Sequence, residues 1–236
     1  MFEWFGRKRP RPEMSPGGSV IQRYPSAAWN TARIGVTGES TAGFTEARED
    51  VYARYFGEPL NISHEIIPLI PHIDVYTYEG GQHGRDFCTL VTGGMSDLEM
   101  SIPAGAKEPR RVELIFYCSE PKQEYINTMR WLAHFPHDQK TCIGSGHTIP
   151  NGNPPEPFWG SSVLDTILLL QPIVKHDATL PDELVLGGEP VHFLWVVPLT
   201  TPECNLKLAK GFGAILDLFQ RNRHPHVFDP NRSSYV

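Results

Sequence analysis

Three short segments of alternating or apolar residues limit the fold more than any other feature of this sequence. HIDVYTY at 72–78 alternates between two faces, and DFCTLVT at 86–92 and RRVELIFYC at 110–118 follow it. A period of two in β-branched and aromatic residues indicates strands. The GGQHG loop between the first two segments favours a hairpin. The chain is therefore predicted to build a sheet of mostly antiparallel strands.

Helical patterns occur on both sides of these strands. The sequence predicts helices at 45–57 and 121–135, where apolar residues recur at helical spacing. A last helix is predicted at 201–222, and Gly211 and Gly213 predict a kink or a break within it. Between the last two helices, VLDTILLLQPI and VHFLWVVPL are short apolar runs that we interpret as buried strands, although the first also fits a helix.

These elements predict an α+β fold, with a mixed, mostly antiparallel sheet flanked by a few helices. Apolar periodicity is lost outside residues 26–222, so we expect one domain there. Residues 1–25 are predicted to form a mobile basic N-terminal tail, and residues 223–236 a C-terminal tail.

Charge is unevenly distributed along the chain. The net charge is -6, whereas residues 1–12 hold four basic residues and one acid, a balance of +3, which leaves -9 on the remainder. An acidic body argues against direct nucleic-acid binding. No apolar stretch reaches the roughly 18 residues that cross a membrane, and the four cysteines lack metal or disulfide spacing. A cytoplasmic protein is expected.

The stretch TLVTGGMSDLEM at 89–100 contains the most unusual turn. It lacks the G-x-x-x-x-G-K-[ST] pattern of a phosphate loop, and no G-x-S-x-G nucleophile elbow occurs in the chain. We therefore interpret Gly93 and Gly94 as residues that let the chain leave a strand at low steric cost. Ser96 and Asp97 are expected to hold the turn in place.

A hydrolase site is the chemical alternative, with His72, Asp74, His147 and Glu203 as its first candidates. The sequence contains no H-E-x-x-H or D-x-D array, so we predict no catalytic residues, no metal and no cofactor. Asp74, Glu113, His147 and Glu203 are instead predicted to form a structural polar network. Glu113 shares a strand face with apolar residues, and a buried carboxylate needs donors or a cation.

Together, HIDVYTY, TLVTGGMSDLEM, RRVELIFY and PLTTPE resemble the suppressor of fused (SUFU) domain over roughly residues 40 to 220, in its single-domain bacterial type. The most specific part is Gly94, Ser96, Asp97 and Leu98, followed by Glu113 in the next strand. The resemblance implies an α+β domain that binds another protein and has no catalytic activity.

The resemblance also suggests roles for individual residues. It implies that one set forms a recognition surface or its scaffold: Gly93, Gly94, Met95, Ser96, Asp97 and Met100. The two methionines fit protruding contacts and core filler equally well. We place the partner contact on residues 86–100 and 144–158. Because some bacterial one-domain relatives are immunity proteins, the expected partner is a basic toxin domain, and the alternative is a regulatory adaptor unrelated to toxins.

Overall fold

The computed structural model describes residues 13–24, 41, 43–67, 69–160 and 163–236. Its strands are β1 Glu13–Met14, β2 Val20–Ile21, β3 Asn61–Ser63, β4 Asp74–Tyr78, β5 Cys88–Gly93, β6 Arg111–Cys118, β7 Thr148–Pro150, β8 Leu164–Leu170, β9 Val185–Leu186 and β10 Glu189–Thr200. Its helices are α1 Phe44–Phe56, α2 Gln123–Asp138, α3 Leu180–Glu183, α4 Thr201–Lys210 and α5 Phe212–Asn222.

One large sheet organises the domain. Its strand order is β3-β4-β5-β6-β10-β8-β7, and β9 pairs with the start of β10. Strands β6 and β10 run parallel, with Leu114 opposite Leu194, whereas the other pairs are antiparallel. The parallel pair needs a long crossover, which passes through α2, β7 and β8. The predicted α+β class with a mixed, mostly antiparallel sheet is confirmed.

The sheet is covered on both faces, and β6 shows how its sequence achieves this. Val112, Leu114 and Phe116 enter a core beneath α2. Ile115 and Tyr117 enter a second core beneath α1 and α5. Successive side chains on a strand point to opposite faces, so one apolar strand supplies both cores. Glu113 lies on the second face and is fully buried there.

The long C-terminal helix is divided in two, as the glycines predict. Helix α4 ends at Lys210, and Gly211, at φ 92°, separates it from α5. Thr200 caps α4 by accepting a hydrogen bond from the backbone N–H of Glu203, whose side chain accepts from the backbone N–H of Thr200. This reciprocal arrangement satisfies two of the free donors at the start of the helix.

Both predicted tails contain residues that contact the domain. At the C-terminus, the backbone N–H of Phe228 donates to the carbonyl of Tyr117, and Arg232 is buried. At the other end, residues 13–24 form the β1–β2 hairpin, in which Gly17 donates to the carbonyl of Leu208. Residues 1–12 and 25–40 lie outside the described residues. The extent of the cooperative unit remains a prediction.

No helix in the described parts of the chain is both long enough and apolar enough to span a bilayer.

Candidate functional site

The turn after β5 requires two glycines for different reasons. Gly94 has φ 106°, in the left-handed region, and a Cβ atom there would collide with the carbonyl oxygen of His72. A Cβ atom on Gly93 would lie 2.6 Å from the ring of Tyr76. The chain then forms a short 3-10 helix, Met95–Asp97. This backbone leaves several N–H groups that point into the protein and need acceptors.

Glu113 supplies those acceptors from the neighbouring strand. Its Oε1 accepts from the backbone N–H groups of Gly94 and Ser96, both at 3.0 Å, and from the Ser96 hydroxyl at 2.6 Å. Its Oε2 accepts from the Thr92 hydroxyl at 2.6 Å. The carboxylate is 0% exposed and both oxygens are engaged by the turn. Glu113 therefore holds the turn against β6.

Two arginines complete the arrangement, and sequence reasoning missed both. Arg48 Nη1 donates to Asp97 Oδ1 at 2.7 Å and lies 4.0 Å from Glu113 Oε1. Arg111 Nη1 donates to the carbonyls of Ser96 and Asp97 at 2.7 and 3.0 Å. Position 48 precedes the buried Val51 and Tyr52 by three and four residues, so the helical pattern already placed it on the inner face of α1.

Burial dominates the electrostatics of Glu113. It raises the pKa of this carboxyl, although the nearby charge of Arg48 and the hydrogen bonds from Ser96 and Thr92 lower it. Burial also opposes the charge of Arg48, but Glu113 and Asp97 outweigh that effect and raise its pKa. With no exposed atom on the carboxylate, this arrangement is suited to fixing a backbone rather than to reaching a substrate.

Burial decides between the two interpretations of the methionines. Met95 is 1% exposed and Met100 is 5% exposed, and both belong to the core beneath α2. Their interpretation as protruding contacts is wrong, and they fill the core. At the turn itself only Leu98 and Glu99 reach solvent.

The exposed part lies just beyond the turn. Residues 103–107 form an exposed loop, and Glu108 at its end lies 3.5 Å from Nε2 of His147. The neighbouring segment 144–158 contains β7, and its residues 152–157 are exposed. Glu113 and both arginines therefore hold the turn, and the Glu108–His147 contact joins the loop that follows it to the start of the 144–158 segment.

The four residues predicted as one structural polar network lie in separate places. Asp74 contacts His64 and His72, Glu113 contacts Ser96, His147 contacts Glu108, and Glu203 contacts Arg232. Across the described ranges, no hydrogen bond or ion pair joins these four residues to one another. Each stabilises its own part of the domain.

The four candidate residues for a hydrolase site are also distributed over separate parts of the structure. His72 Nε2 lies 3.2 Å from Asp74 Oδ1, beside the pair His134 and Glu65 at 2.7 Å. His147 and Glu203 have other partners. Within the described part of the chain, no group of three or more His, Cys, Asp or Glu side chains is arranged to hold a metal ion.

A further buried network was not expected from the sequence. Arg85 donates to both carboxylate oxygens of Asp177, and the Tyr117 hydroxyl donates to Asp177 Oδ2 at 2.6 Å. Burial raises the pKa of Tyr117, and the negative charge of Asp177 raises it further. The three residues join the loop before β5 to the sheet and to the segment before α3.

Comparisons with known proteins agree with this architecture. The family model for suppressor of fused protein (SUFU) matches residues 70–233. Similar solved structures include a putative SUFU homolog from Neisseria gonorrhoeae, with a TM-score of 0.59, 16% identity, and coverage of 82% of this chain and 97% of that one. Another is the Sufu–Fu complex, with a TM-score of 0.54, 13% identity, and coverage of 83% and 92%.

Drosophila Suppressor of Fused has a TM-score of 0.51 and 14% identity, and the match covers 80% of this chain but 50% of that longer one. No curated protein sequence matches the chain. At these identities the solved structures establish the fold.

Proposed function

The chain belongs to the suppressor of fused family, and we propose from this premise that it acts by binding another protein and not by catalysis. A similar structure was solved as a complex, the Sufu–Fu complex. The family provides protein-binding domains, so the remaining questions are which surface makes the contact and what kind of partner it meets.

The closure of the Glu113 network carries this proposal. A general acid or base must come within hydrogen-bond reach of a substrate atom. Glu113 is fully buried, and its oxygens are already engaged by Thr92, Gly94 and Ser96. A carboxylate whose oxygens all accept hydrogen bonds from the turn stabilises the backbone there. A preformed backbone loses less conformational entropy when a partner binds, which favours recognition.

We place the partner contact on two exposed loops, one after the turn and one after β7. Residues 103–107 and 152–157 are exposed, and Glu108 and His147 join the first loop to the start of the 144–158 segment. Residues Gly93 to Met100 act as the scaffold of this surface, because their side chains are mostly buried. Loops on a rigid scaffold are common sites of recognition.

The finer proposal is immunity, in which the chain neutralises a basic toxin domain. Its support is electrostatic, because residues outside 1–12 sum to -9. On α1 and α3, acidic side chains are exposed, including Glu46, Asp50 and Asp182. Opposite charge on a partner would speed its association with this body and help to orient it.

Co-expression tests both the proposed binding of another protein and the proposed immunity. The full chain is produced together with the C-terminal domain of a large secreted protein encoded beside its gene. We expect the cells to survive and a pull-down to recover the complex. If the cells die as readily as without the chain and no complex is recovered, the immunity proposal fails.

Two matched substitutions locate the contact. Ala104→Arg adds bulk and positive charge to the exposed loop, and Ala53→Arg makes the same change on the exposed side of α1. We expect the first to weaken the complex by about tenfold or more, since a blocked contact commonly costs over 1 kcal/mol. The second should leave the Kd nearly unchanged. Equal effects would move the contact away from the loops.

A regulatory adaptor is the second candidate, and the solved Sufu–Fu complex is the observation that favours it. The same co-expression separates the two functions. A stable complex whose partner has no toxicity supports an adaptor, whereas protection from a toxic neighbour supports immunity.

A further inference from the structure

A groove beside α2 has a lining of unusual chemistry. It is an open groove of about 470 Å³, lined by Glu124, Asn127, Thr128, Trp131, Asn151, Pro157, Phe158, Trp159 and Gly160. Three of these residues are aromatic, one is an acid, and none is a lysine or arginine. We call it the α2 groove.

Hydrogen bonds and ring contacts hold the side chains that line the α2 groove in place. The indole N–H of Trp159 donates to Thr128 Oγ1 at 2.8 Å, and its ring packs edge-on against Tyr125 and Phe228. Across from it, Asn151 and Glu156 exchange two hydrogen bonds of 2.7 Å. A groove held in this way is formed before any ligand arrives, which lowers the entropic cost of binding.

The lining favours a positively charged, proline-containing chain. Aromatic faces attract guanidinium and ammonium groups, and the Glu124 carboxylate adds an opposite charge. Proline-rich segments adopt an extended helix without internal hydrogen bonds and bind to aromatic-lined grooves at low entropic cost.

This sequence contains such a segment within itself. Arg7-Lys8-Arg9-Pro10-Arg11-Pro12 combines four basic residues with two prolines and has no acid. We propose that the α2 groove is the docking site for this segment, residues 7–12, of the same chain.

A series of contacts connects the start of the described chain to α2. Glu13 pairs with Arg23 at 2.8 Å, and the next residue, Tyr24, packs against Phe135 with ring centroids 5.3 Å apart. Phe135 in turn lies 6.2 Å from Trp131 in the wall of the groove. Six extended residues span roughly 20 Å, so residues 7–12 are long enough to run along this side of α2.

Docking of residues 7–12 would give the domain an internal competitor for basic partners. The groove includes part of the 144–158 segment on which we place the partner contact. This regulatory consequence rests on the proposed function, because it needs a partner. The docking itself does not, and it is tested on the full chain alone.

Photo-crosslinking tests the docking directly. The full chain carries p-benzoylphenylalanine at Pro10, which leaves all four basic residues in place, and cross-linked peptides are identified by mass spectrometry. We expect the main cross-links to fall within residues 124–131 and 151–160 of the same chain. They should weaken at high salt, because the contact is electrostatic at an exposed site.

A matched pair of double substitutions provides the control. E124K/N127K places two positive charges on the exposed side of the α2 groove, and E46K/A53K makes the same change on α1. We expect the first pair to reduce groove cross-links by about fivefold or more, which corresponds to about 1 kcal/mol. The second pair should leave the yield within about twofold.

Two results would overturn the proposal. One is a cross-link pattern spread over other surfaces, or no cross-links in the groove. The other is cross-linking between differently labelled copies, which would make the occupant the segment of a second molecule. Neither result depends on recovering a partner in co-expression, so the two proposals fail independently.

Discussion

Glu113 and Glu203 are both completely buried, yet they are stabilised in different ways. Glu113 accepts hydrogen bonds from hydroxyls and backbone N–H groups, and its nearest cation, Arg48, is 4.0 Å away. Glu203 makes a two-pronged contact with Arg232, with N–O distances of 2.7 and 2.8 Å. It also accepts from the backbone N–H of Tyr235 at 3.1 Å.

The two environments move the pKa in opposite directions. Burial raises the pKa of Glu113, and its donors do not fully offset this effect. Burial alone would also raise the pKa of Glu203, but the hydrogen bonds and charge of Arg232 outweigh it, so the pKa lies below its ordinary value. A direct arginine contact decides the direction.

The comparison also separates two structural tasks. The Glu113 network is made by residues of one hairpin and an adjacent helix, and it fixes a turn. The Glu203 network joins the start of α4 to the last residues of the described chain, so it fixes the C-terminus. The guanidinium of Arg232 also donates to the carbonyl of Pro198 at 2.7 Å.

The largest expected effect follows from removing the arginine of the charged pair. Arg232→Ala leaves the Glu203 carboxylate buried without its cation, so we expect a loss of about 3–5 kcal/mol in the free energy of unfolding. Urea denaturation measures it. Arg221→Ala, on the surface of α5, is the control and should cost no more than about 0.5 kcal/mol. A loss under about 1 kcal/mol in Arg232→Ala would indicate an ion pair that behaves as if exposed.

A smaller loss is expected at the other carboxylate. Glu113→Ala leaves buried donors of Thr92, Gly94 and Ser96 without an acceptor, at roughly 1–3 kcal/mol. Asp97 still neutralises Arg48, so no arginine is left unpaired. Thermal and urea melts measure the change, with exposed Glu120→Ala as the control. Unchanged stability together with lost partner binding would instead place Glu113 in the recognition surface.

The smallest effect is a difference in pH dependence. Glu203 has a lowered folded-state pKa, so its contribution is present above its ordinary value of 4.5 and is lost as pH falls through the folded pKa. Glu113 has a raised folded-state pKa, so its contribution is present below 4.5 and is lost as pH rises through the folded pKa.

Charge-removing substitutions make these opposite signs measurable. Relative to the unmodified protein, Glu203→Gln should weaken the loss of stability on acidification. Glu113→Gln should weaken the loss that accompanies a rise in pH above 4.5. Urea melts from about pH 2.5 to about pH 7 measure both slopes, because the Glu203 loss lies below 4.5 and the Glu113 loss above it. If the pH dependence of stability changes in the same direction in both variants, the opposite pKa shifts of Glu203 and Glu113 are contradicted.

The local pattern of the sequence was enough to predict most elements and part of the site. The period of two in 110–118 predicts a strand, and the apolar spacing in 45–57 predicts α1. Gly211 predicts the break between α4 and α5, because glycine adopts a positive φ without a steric cost. The polar partners expected for Glu113 were present, since a buried carboxylate requires donors wherever it lies.

Only the tertiary structure decided which distant residues meet. Arg232 lies 29 positions beyond Glu203, and Arg85 lies 92 positions before Asp177. Periodicity reports which face of an element is apolar, but it carries no information about which chain segment covers that face. For the same reason a sequence cannot tell whether Met95 packs inside or protrudes. The sequence determined the elements and their inner faces, and the packing of those elements against one another determined the partners.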